Sequence, residues 1–345
     1  MLEHTTPSSS AMLKSQSKLK LLAVLLLLAH TSCAAVTSGD EGREGGLLAA
    51  APADDQAGPI EGRVYLVGDE VTMPFALIDD WIFIHGEING TKGRWMFDTG
   101  SEQAVALNVK HVNQDNGVVI GTGFVGSGQS FDVLNYPVVD RIGIGDLLFV
   151  GVSSVTGNEM GFMEPITTDI LGLVGFAFFD GYDLKIDYLR RQLSFYRQTE
   201  GSHWQHLEED ERFVESIEYF TRNLENLPMF KFQASGVEFL GVLDTGGGRG
   251  SFEMVDGDFE RLRSNGTIRD FYEGPSPLYV FDGLEVSERL SLDLFGLYRF
   301  DDPPGFKEPL GIVEENHMHF AYSFLSQFVS FWDTKNKVIY LLKYQ

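Results

Sequence analysis

The chain of 345 residues contains a single cysteine, Cys33. An internal disulfide needs two cysteines and a cysteine-based metal site needs several, so both are excluded. Other metal ligands do not compensate for this lack. His317 and His319 lie on one face of a predicted strand, but no third ligand follows at a metal-binding spacing. We therefore expect no metal and no other cofactor.

Basic residues are also scarce. Lys and Arg total 26 against 50 Asp and Glu, which gives a formal net charge of −24. Such an acidic surface repels phosphate backbones and anionic lipid surfaces. We therefore exclude nucleic acid as a partner and expect contact with a membrane only through an N-terminal lipid anchor.

The N-terminal apolar run, residues 21–29, is too short to span a bilayer. Three lysines precede it and small residues follow it, which is the order found in export signals. Residues 1–33 therefore predict an export signal, and the protein is expected to be periplasmic, anchored at the outer membrane, or secreted. Two outcomes stay open: Cys33 becomes the lipidated first residue of a lipoprotein, or the chain is cleaved after Ala34.

Helical periodicity is rare in the rest of the chain. Residues 34–59 are rich in Gly, Ala, Asp and Glu and predict a flexible linker. From residue 60 onward, short apolar or alternating runs are separated by Gly, Asn and Asp, which is typical of strands and turns. The fold class is therefore predicted to be all-β, in the sense of mainly β.

Local signals place some of the turns and helices. Asn89-Gly90 and Asn265-Gly266 each predict a tight β-hairpin. Short helices are predicted only at Glu208–Ile217 and Gly257–Arg263. The acidic residues of the first of these helices would form its solvated face.

The tripeptide Asp-Thr-Gly occurs twice, each time directly after an apolar run. The two copies start at Asp98 and Asp244, which are 146 residues apart. The same shift places residues 175–197 on residues 321–343 without a gap and with the apolar pattern retained. A repeat of this kind predicts a duplication. The two halves are expected at residues 60–200 and 201–345, with a boundary in a polar stretch.

A duplication would bring the two Asp-Thr-Gly loops together at an approximate two-fold axis. Two carboxylates held close together cannot both ionise, so Asp98 and Asp244 would share one proton. The ionised member can activate a water molecule while the protonated member polarises a carbonyl. This arrangement predicts hydrolysis of amide bonds without a metal or a covalent intermediate.

Two segments, "MPFALIDDWIFIHGEINGTKGRWMFDTGS" and "DILGLVGFAFFDGYDLKIDYLRRQLSFY", resemble the retropepsin-like aspartyl proteases of bacteria, relatives of the pepsin-like enzymes. The Gly-rich residues 121–129 lie where that family has its flap hairpin. The resemblance covers about residues 72–345 and implies a monomer with two six-stranded barrel lobes and a cleft for a peptide or protein substrate. It assigns Asp98 and Asp244 to catalysis. It assigns support of the active-site loops to Thr99, Gly100, Ser101, Thr245, Gly246 and Gly175.

The second half departs from the family pattern. Gly247 stands where the first half has Ser101, and Ala321 stands where it has Gly175. No Gly-rich flap counterpart is evident in residues 274–300. The predicted function is that of an exported aspartic endopeptidase. The alternative is a non-catalytic relative that binds an extended peptide or an envelope partner in the cleft between the lobes.

Overall fold

The structure, a computed structural model, describes residues 28–29, 64–112, 115–124, 130–200, 204–274, 276–302 and 304–345. Cys33, the predicted linker and all but two residues of the predicted export signal lie outside this part of the chain. Within these ranges, no helix has both the length and the apolar character that crossing a membrane requires.

The described residues are mainly in strands, as the sequence predicts. The strands of the first half are β1 (Leu28–Ala29), β2 (Glu70–Pro74), β3 (Ala76–Ile78), β4 (Trp81–Ile88), β5 (Thr91–Phe97), β6 (Val105–Asn108), β7 (Val118–Phe124), β8 (Ser130–Ile144), β9 (Leu147–Asn158), β10 (Ile170–Val174), β11 (Tyr182–Asp187) and β12 (Gln192–Arg197). Its helices are short: α1 (Val109–Val112) and 3₁₀ turns at Gly161–Met163 and Phe176–Phe179.

The second half is built in the same way. Its strands are β13 (Phe213–Glu218), β14 (Met229–Ala234), β15 (Val237–Leu243), β16 (Ser251–Glu253), β17 (Ile268–Tyr272), β18 (Leu278–Glu285), β19 (Ser291–Arg299), β20 (His317–Phe320), β21 (Val329–Asp333) and β22 (Val338–Leu342). Its helices are α2 (Asp256–Ser264), α3 (Lys307–Leu310) and α4 (Tyr322–Leu325), with 3₁₀ turns at Gln205–Glu209 and Thr245–Gly247.

Six strands of the first half close into a ring in the order β4-β5-β10-β6-β9-β8, because β8 pairs back onto β4. The strands β3, β7 and β1 extend this sheet to nine strands. In the second half, β14-β15-β20-β16-β19-β18 follow the corresponding order, and β18 pairs back onto β14. Each strand of the first ring therefore has a counterpart in the second. The pairs are β4 and β14, β5 and β15, β10 and β20, β6 and β16, β9 and β19, and β8 and β18.

The parallel pairs show that the repeat extends to hydrogen-bond register. In the first ring, Phe97 of β5 lies opposite Val174 of β10. In the second ring, Leu243 of β15 lies opposite Phe320 of β20. Both members of the second pair are 146 residues beyond those of the first. The offset found in the sequence thus recurs in three dimensions.

A third sheet joins the halves in the order β13-β22-β21-β11-β12-β2, with three strands from each. Its two central strands, β11 and β21, occupy equivalent positions in the aligned segments 175–197 and 321–343. Each central strand ends in an aspartate that caps the following turn. Asp187 accepts a hydrogen bond from the Arg190 N–H at 2.8 Å, and Asp333 accepts one from the Asn336 N–H at 2.9 Å.

The two Asn-Gly pairs form different structures. Asn89 and Gly90, with φ values of 50° and 85°, make the predicted tight turn between β4 and β5. Asn265 instead is the C-cap residue that follows α2, and Gly266 comes next in the left-handed region with φ of 86°. The hairpin prediction at Asn265 is therefore wrong. The residues before it form the predicted helix, and Asn-Gly serves equally well as a helix stop.

The predicted helix at Glu208–Ile217 is also wrong. Only the 3₁₀ turn Gln205–Glu209 is helical there, and β13 follows it as the edge strand paired with β22. Glu215 and Ile217 are buried on alternate positions of β13, so the acidic stretch is not a solvated helix face. Pairing with an apolar neighbouring strand outweighed the local helical propensity.

Candidate active site

The first Asp-Thr-Gly loop begins where β5 ends. Trp95 and Phe97 pack in the main core, and Met96 packs in a separate apolar cluster on the other face. Burial on both faces explains why the run before the aspartate is uninterrupted by polar residues. Asp98 is then fixed at the strand end, because its N–H donates to the Val174 carbonyl at 2.9 Å.

The second loop begins in the same way at the end of β15. The Asp244 N–H donates to the Phe320 carbonyl of the parallel strand β20 at 3.0 Å. In each loop, the aspartate side chain then accepts a hydrogen bond from the backbone of the glycine two residues later. The Gly100 N–H donates to Asp98 Oδ1 and the Gly246 N–H donates to Asp244 Oδ1, both at 2.8 Å.

The threonines brace the loops against each other. The Thr99 N–H donates to Thr245 Oγ1 at 3.0 Å, and the Thr245 N–H donates to Thr99 Oγ1 at 3.0 Å. The Thr245 hydroxyl also donates to the carbonyl of Phe97 at 3.0 Å. These bonds are buried and link residues that are 146 or more positions apart, so they fix the relative position of the two aspartates.

The two glycines leave room for the carboxyls to meet. A Cβ atom on Gly100 would lie 2.7 Å from Asp244 Oδ2, and one on Gly246 would lie 2.2 Å from Asp98 Oδ1. The Gly100 N–H also donates to Asp244 Oδ1 at 3.0 Å. Each glycine is thus in contact with the aspartate of the opposite loop.

Burial controls the protonation of the pair, because both side chains are completely inaccessible to solvent. Burial raises the pKa of Asp98 well above its usual range, and the neighbouring Asp244 carboxylate raises it further. Burial also raises the pKa of Asp244, to about 6, although the Gly246 and Gly100 N–H groups and the Asp98 side chain lower it. The two carboxyls therefore titrate as one unit, with the first negative charge favoured on Asp244.

Two further residues support the loops and were not predicted. The Trp81 indole N–H donates to the Gly246 carbonyl at 3.0 Å, so it reaches from the first half to the second loop. Asn226 reaches from the second half to the first loop. Its side-chain amide donates to the carbonyls of Thr99 at 3.1 Å and Gly100 at 2.8 Å. Shifting Trp81 by the repeat length places it next to Asn226. The repeat offset was the signal that could have linked the two positions in the sequence. It was not recognised, because tryptophan and asparagine are different residue types.

The two departures in the second half form a single exchange. In the first half, the Ser101 side chain fills space beside Gly175, where an added Cβ would lie 2.9 Å from Ser101 Cβ. In the second half the methyl group belongs to Ala321, and an added Cβ on Gly247 would lie 3.2 Å from it. The small residue and the larger residue have changed places across the same contact, so each substitution accommodates the other.

This exchange predicts that substitutions at Gly247 and Ala321 have non-additive effects on the free energy of unfolding. Gly247→Ser alone and Ala321→Gly alone should each lower the free energy of unfolding by about 1 kcal/mol. The double variant should be more stable than the sum of the two changes predicts, by at least about 0.5 kcal/mol, because the added side chain gains the space of the removed methyl. Urea unfolding of the four proteins measures this difference.

The first half provides a matched contrast. A Cβ on Gly175 would lie 2.3 Å from the Gln103 carbonyl and 2.5 Å from the Ser101 carbonyl, which are backbone atoms. Gly175→Ala should therefore stay destabilising even in a Ser101→Gly background. Strict additivity of Gly247→Ser and Ala321→Gly would show that the two sites do not share this space.

Each half also has a hairpin that extends from its ring. Strands β7 and β8 pair through Gly123 and Phe131, but residues 125–129, which include most of the predicted flap tip, lie outside the described residues. Strands β17 and β18 form the topologically equivalent hairpin, with Tyr272 opposite Leu278. Sequence reasoning missed this second hairpin because it lacks the glycines that marked the first.

No protein-family model matches the sequence, and no curated protein matches it either. Inference about function therefore rests on the geometry of the paired loops. This geometry holds two protonatable carboxyls in contact, places backbone donors beside them, and leaves neither side chain exposed to bulk solvent in the described conformation.

Proposed function

We propose that the protein is an aspartic endopeptidase that hydrolyses peptide bonds with Asp98 and Asp244 as its catalytic pair. The observation that carries the proposal is the reciprocal contact between the two loops. Each loop's glycine touches the aspartate of the other, and each threonine accepts a hydrogen bond from the other's backbone. Holding two buried carboxyls together is costly, and bracing of this kind is expected where the contact is used.

The proposal includes the finer architecture, two acid-protease lobes with a cleft between them. Two rings of equivalent strand order and a shared sheet with three strands from each half support it. The resemblance to retropepsin-like proteases gives the same arrangement. Because one chain supplies both aspartates, the active unit would be a monomer.

In the proposed mechanism, Asp244 carries the negative charge and Asp98 carries the shared proton. Among the described residues, no protein group donates to Asp98 Oδ2 or Asp244 Oδ2. A water molecule bound between these oxygens would lose a proton to Asp244 while Asp98 donates to the oxygen of the scissile carbonyl. The resulting hydroxide adds to the carbonyl carbon and gives a gem-diol intermediate. As its C–N bond breaks, Asp244 gives its proton to the leaving amine, and a gem-diol hydroxyl returns a proton to Asp98.

A second candidate is a non-catalytic protein that binds an extended peptide or an envelope partner. The complete burial of both carboxyls favours it, because a substrate reaches them only after the described conformation opens. Binding of a peptide without its cleavage would support this candidate. Retention of both aspartates and of their mutual bracing favours the enzyme.

The proposal also places the enzyme outside the cytoplasm, anchored through Cys33 or released after Ala34. The motive is the order of basic, apolar and small residues in the first 35 positions. Mass spectrometry of the N-terminal peptide of the cell-envelope fraction tests it. A mature protein that retains residues 1–20 would contradict export.

The pH dependence of hydrolysis tests the proposed function itself. The active species carries one proton on the pair, so activity on an unfolded protein should rise as pH increases through about 6, where Asp244 ionises. It should fall at higher pH as Asp98 loses the remaining proton. A statine-type inhibitor, whose hydroxyl replaces the attacking water, should abolish the cleavage. Cleavage that resists this inhibitor, or no cleavage at any pH, would contradict the proposal.

The same shifts predict how stability changes with pH. Both folded-state pKa values are raised, so the protonated pair contributes stability that is complete below pH of about 4, the unfolded value. That contribution is lost as pH rises through about 6. The free energy of unfolding of the wild type should therefore fall over this interval. In Asp244→Asn the fall should be smaller.

A further inference from the structure

A partly buried cluster of metal-ligand side chains lies in the second half, away from the paired aspartates. Glu253 ends β16 and lies opposite His317, the first residue of β20. Asp302 comes from the segment between β19 and α3. One ligand atom from each of these three residues lies within 4.8 Å of the others.

The cluster is incompletely satisfied. The side chains of Asp302 and His317 are 5% and 1% exposed, and His317 Nε2 lies 3.1 Å from Asp302 Oδ2. Asp302 Oδ1 and His317 Nδ1 have no hydrogen-bond partner in the described part of the chain. Buried polar atoms without hydrogen-bond partners lower stability. Such atoms are usually satisfied by a bound group such as a water molecule or an ion.

The charges favour a cation as that group. Glu253 accepts a hydrogen bond from the Asp302 N–H at 2.9 Å and pairs with the Lys307 ammonium at 2.8 Å. Two carboxylates against one lysine leave a net negative charge when His317 is neutral. Two carboxylate oxygens and one imidazole nitrogen form a donor set that suits Zn²⁺ and similar divalent transition-metal ions.

The cluster also has a route to solvent. A surface pocket of about 530 Å³ is lined by residues that include Glu253, Asp302 and Lys307. Glu253 and Asp302 thus border a pocket that is open to solvent, and a site that loads from solution requires such access.

We propose that Glu253, Asp302 and His317 bind one divalent transition-metal ion of the Zn²⁺ type. The ion would join the ends of β16 and β20 to the segment before α3. Its role is structural, because His317 lies opposite Leu240, four residues before Asp244, at the far end of strand β20 from the active-site loops. This assignment is independent of the proposed peptidase activity.

The test uses the full exported chain, dialysed against a chelator and then titrated with Zn²⁺ by calorimetry and by thermal unfolding. We expect one ion per chain and a rise in Tm on binding. Asp302→Asn and Glu253→Gln, which are nearly isosteric, should each weaken binding at least tenfold. Asp301→Asn, at the adjacent exposed position, is the matched control and should bind like the wild type.

Circular dichroism establishes that each variant is folded before the titration is interpreted. Absence of saturable Zn²⁺ binding to the wild type would overturn the proposal. So would equal affinity of Asp302→Asn, Glu253→Gln and wild type, because binding would then occur elsewhere. Peptide hydrolysis measured on the same samples separates failure of this site from failure of the proposed function.

Discussion

Asp98→Asn and Asp244→Asn are each expected to reduce peptide hydrolysis at least about 1,000-fold, because neither carboxyl alone can both activate water and polarise the carbonyl. The double variant should be scarcely less active than either single variant, since the two groups act as a unit. Steady-state rates on one peptide substrate measure this. Asp115→Asn, at an exposed position, is the control and should leave the rate unchanged.

The same variants should remain folded, because Asn is nearly isosteric with Asp. Above pH of about 6, Asp244→Asn should be more stable than the wild type, since it removes the buried negative charge that Asp244 carries there. One outcome would contradict the intramolecular pair. If Asp244→Asn kept near-wild-type activity while Asp98→Asn did not, the first halves of two chains would have to pair instead.

Gly246→Ala is expected to damage both stability and hydrolysis. Its Cβ would lie 2.2 Å from Asp98 Oδ1 and 2.5 Å from Asp98 Cγ, and Asp98 is fixed by backbone hydrogen bonds on either side. We expect a loss of unfolding free energy of about 2–3 kcal/mol and at least a 100-fold loss of hydrolysis. Denaturant unfolding and steady-state kinetics measure the two effects.

Gly257→Ala is the matched control, because nothing lies within 4 Å of a Cβ at that position in the first turn of α2. It should keep full activity and gain up to about 1 kcal/mol of stability. The stability cost of Gly246→Ala should shrink in an Asp98→Ala background, where the obstructing carboxyl is absent. An unchanged cost there would show that the two residues are not in contact.

The parts of the fold that follow from the repeat were predictable from sequence. An offset shared by Asp98 and Asp244 extends to the register of β5 with β10 and of β15 with β20, because a duplicated unit pairs its strands in the same way. The main site residues followed for the same reason. Gly100 and Gly246 must be small because each contacts the aspartate of the other half. The Asp-Thr-Gly tripeptide therefore has glycine at this position in both copies.

Features set by tertiary contact were not predictable. Residues 213–218 form a strand because β22 is available to pair with them, and nothing local shows that partner. Trp81 and Asn226 reach the loops from equivalent places with different chemistry, so the repeat does not reveal them. The Glu253, Asp302 and His317 cluster draws one residue from each of three elements, so no regular spacing marks it.

The exchange between Gly247 and Ala321 shows that comparison with a family pattern, position by position, can count one compensated change as two losses. Gly247 and Ala321 count as two losses when the halves are compared position by position. In the structure the two residues face each other, and a Cβ added to Gly247 would lie 3.2 Å from the Cβ of Ala321. The second loop keeps its turn, since the Gly247 N–H donates to the Asp244 carbonyl at 3.2 Å as the Ser101 N–H donates to the Asp98 carbonyl at 3.1 Å.

Tight-binding titration of the wild-type protein with a statine-type inhibitor tests the central claim most directly. The claim is that one chain holds one complete catalytic pair made of Asp98 and Asp244. Peptide hydrolysis should therefore fall linearly to zero at one inhibitor molecule per chain, and neither Asp98→Asn nor Asp244→Asn should bind the inhibitor tightly. An end point at one inhibitor per two chains, or tight binding retained by Asp244→Asn, would contradict it.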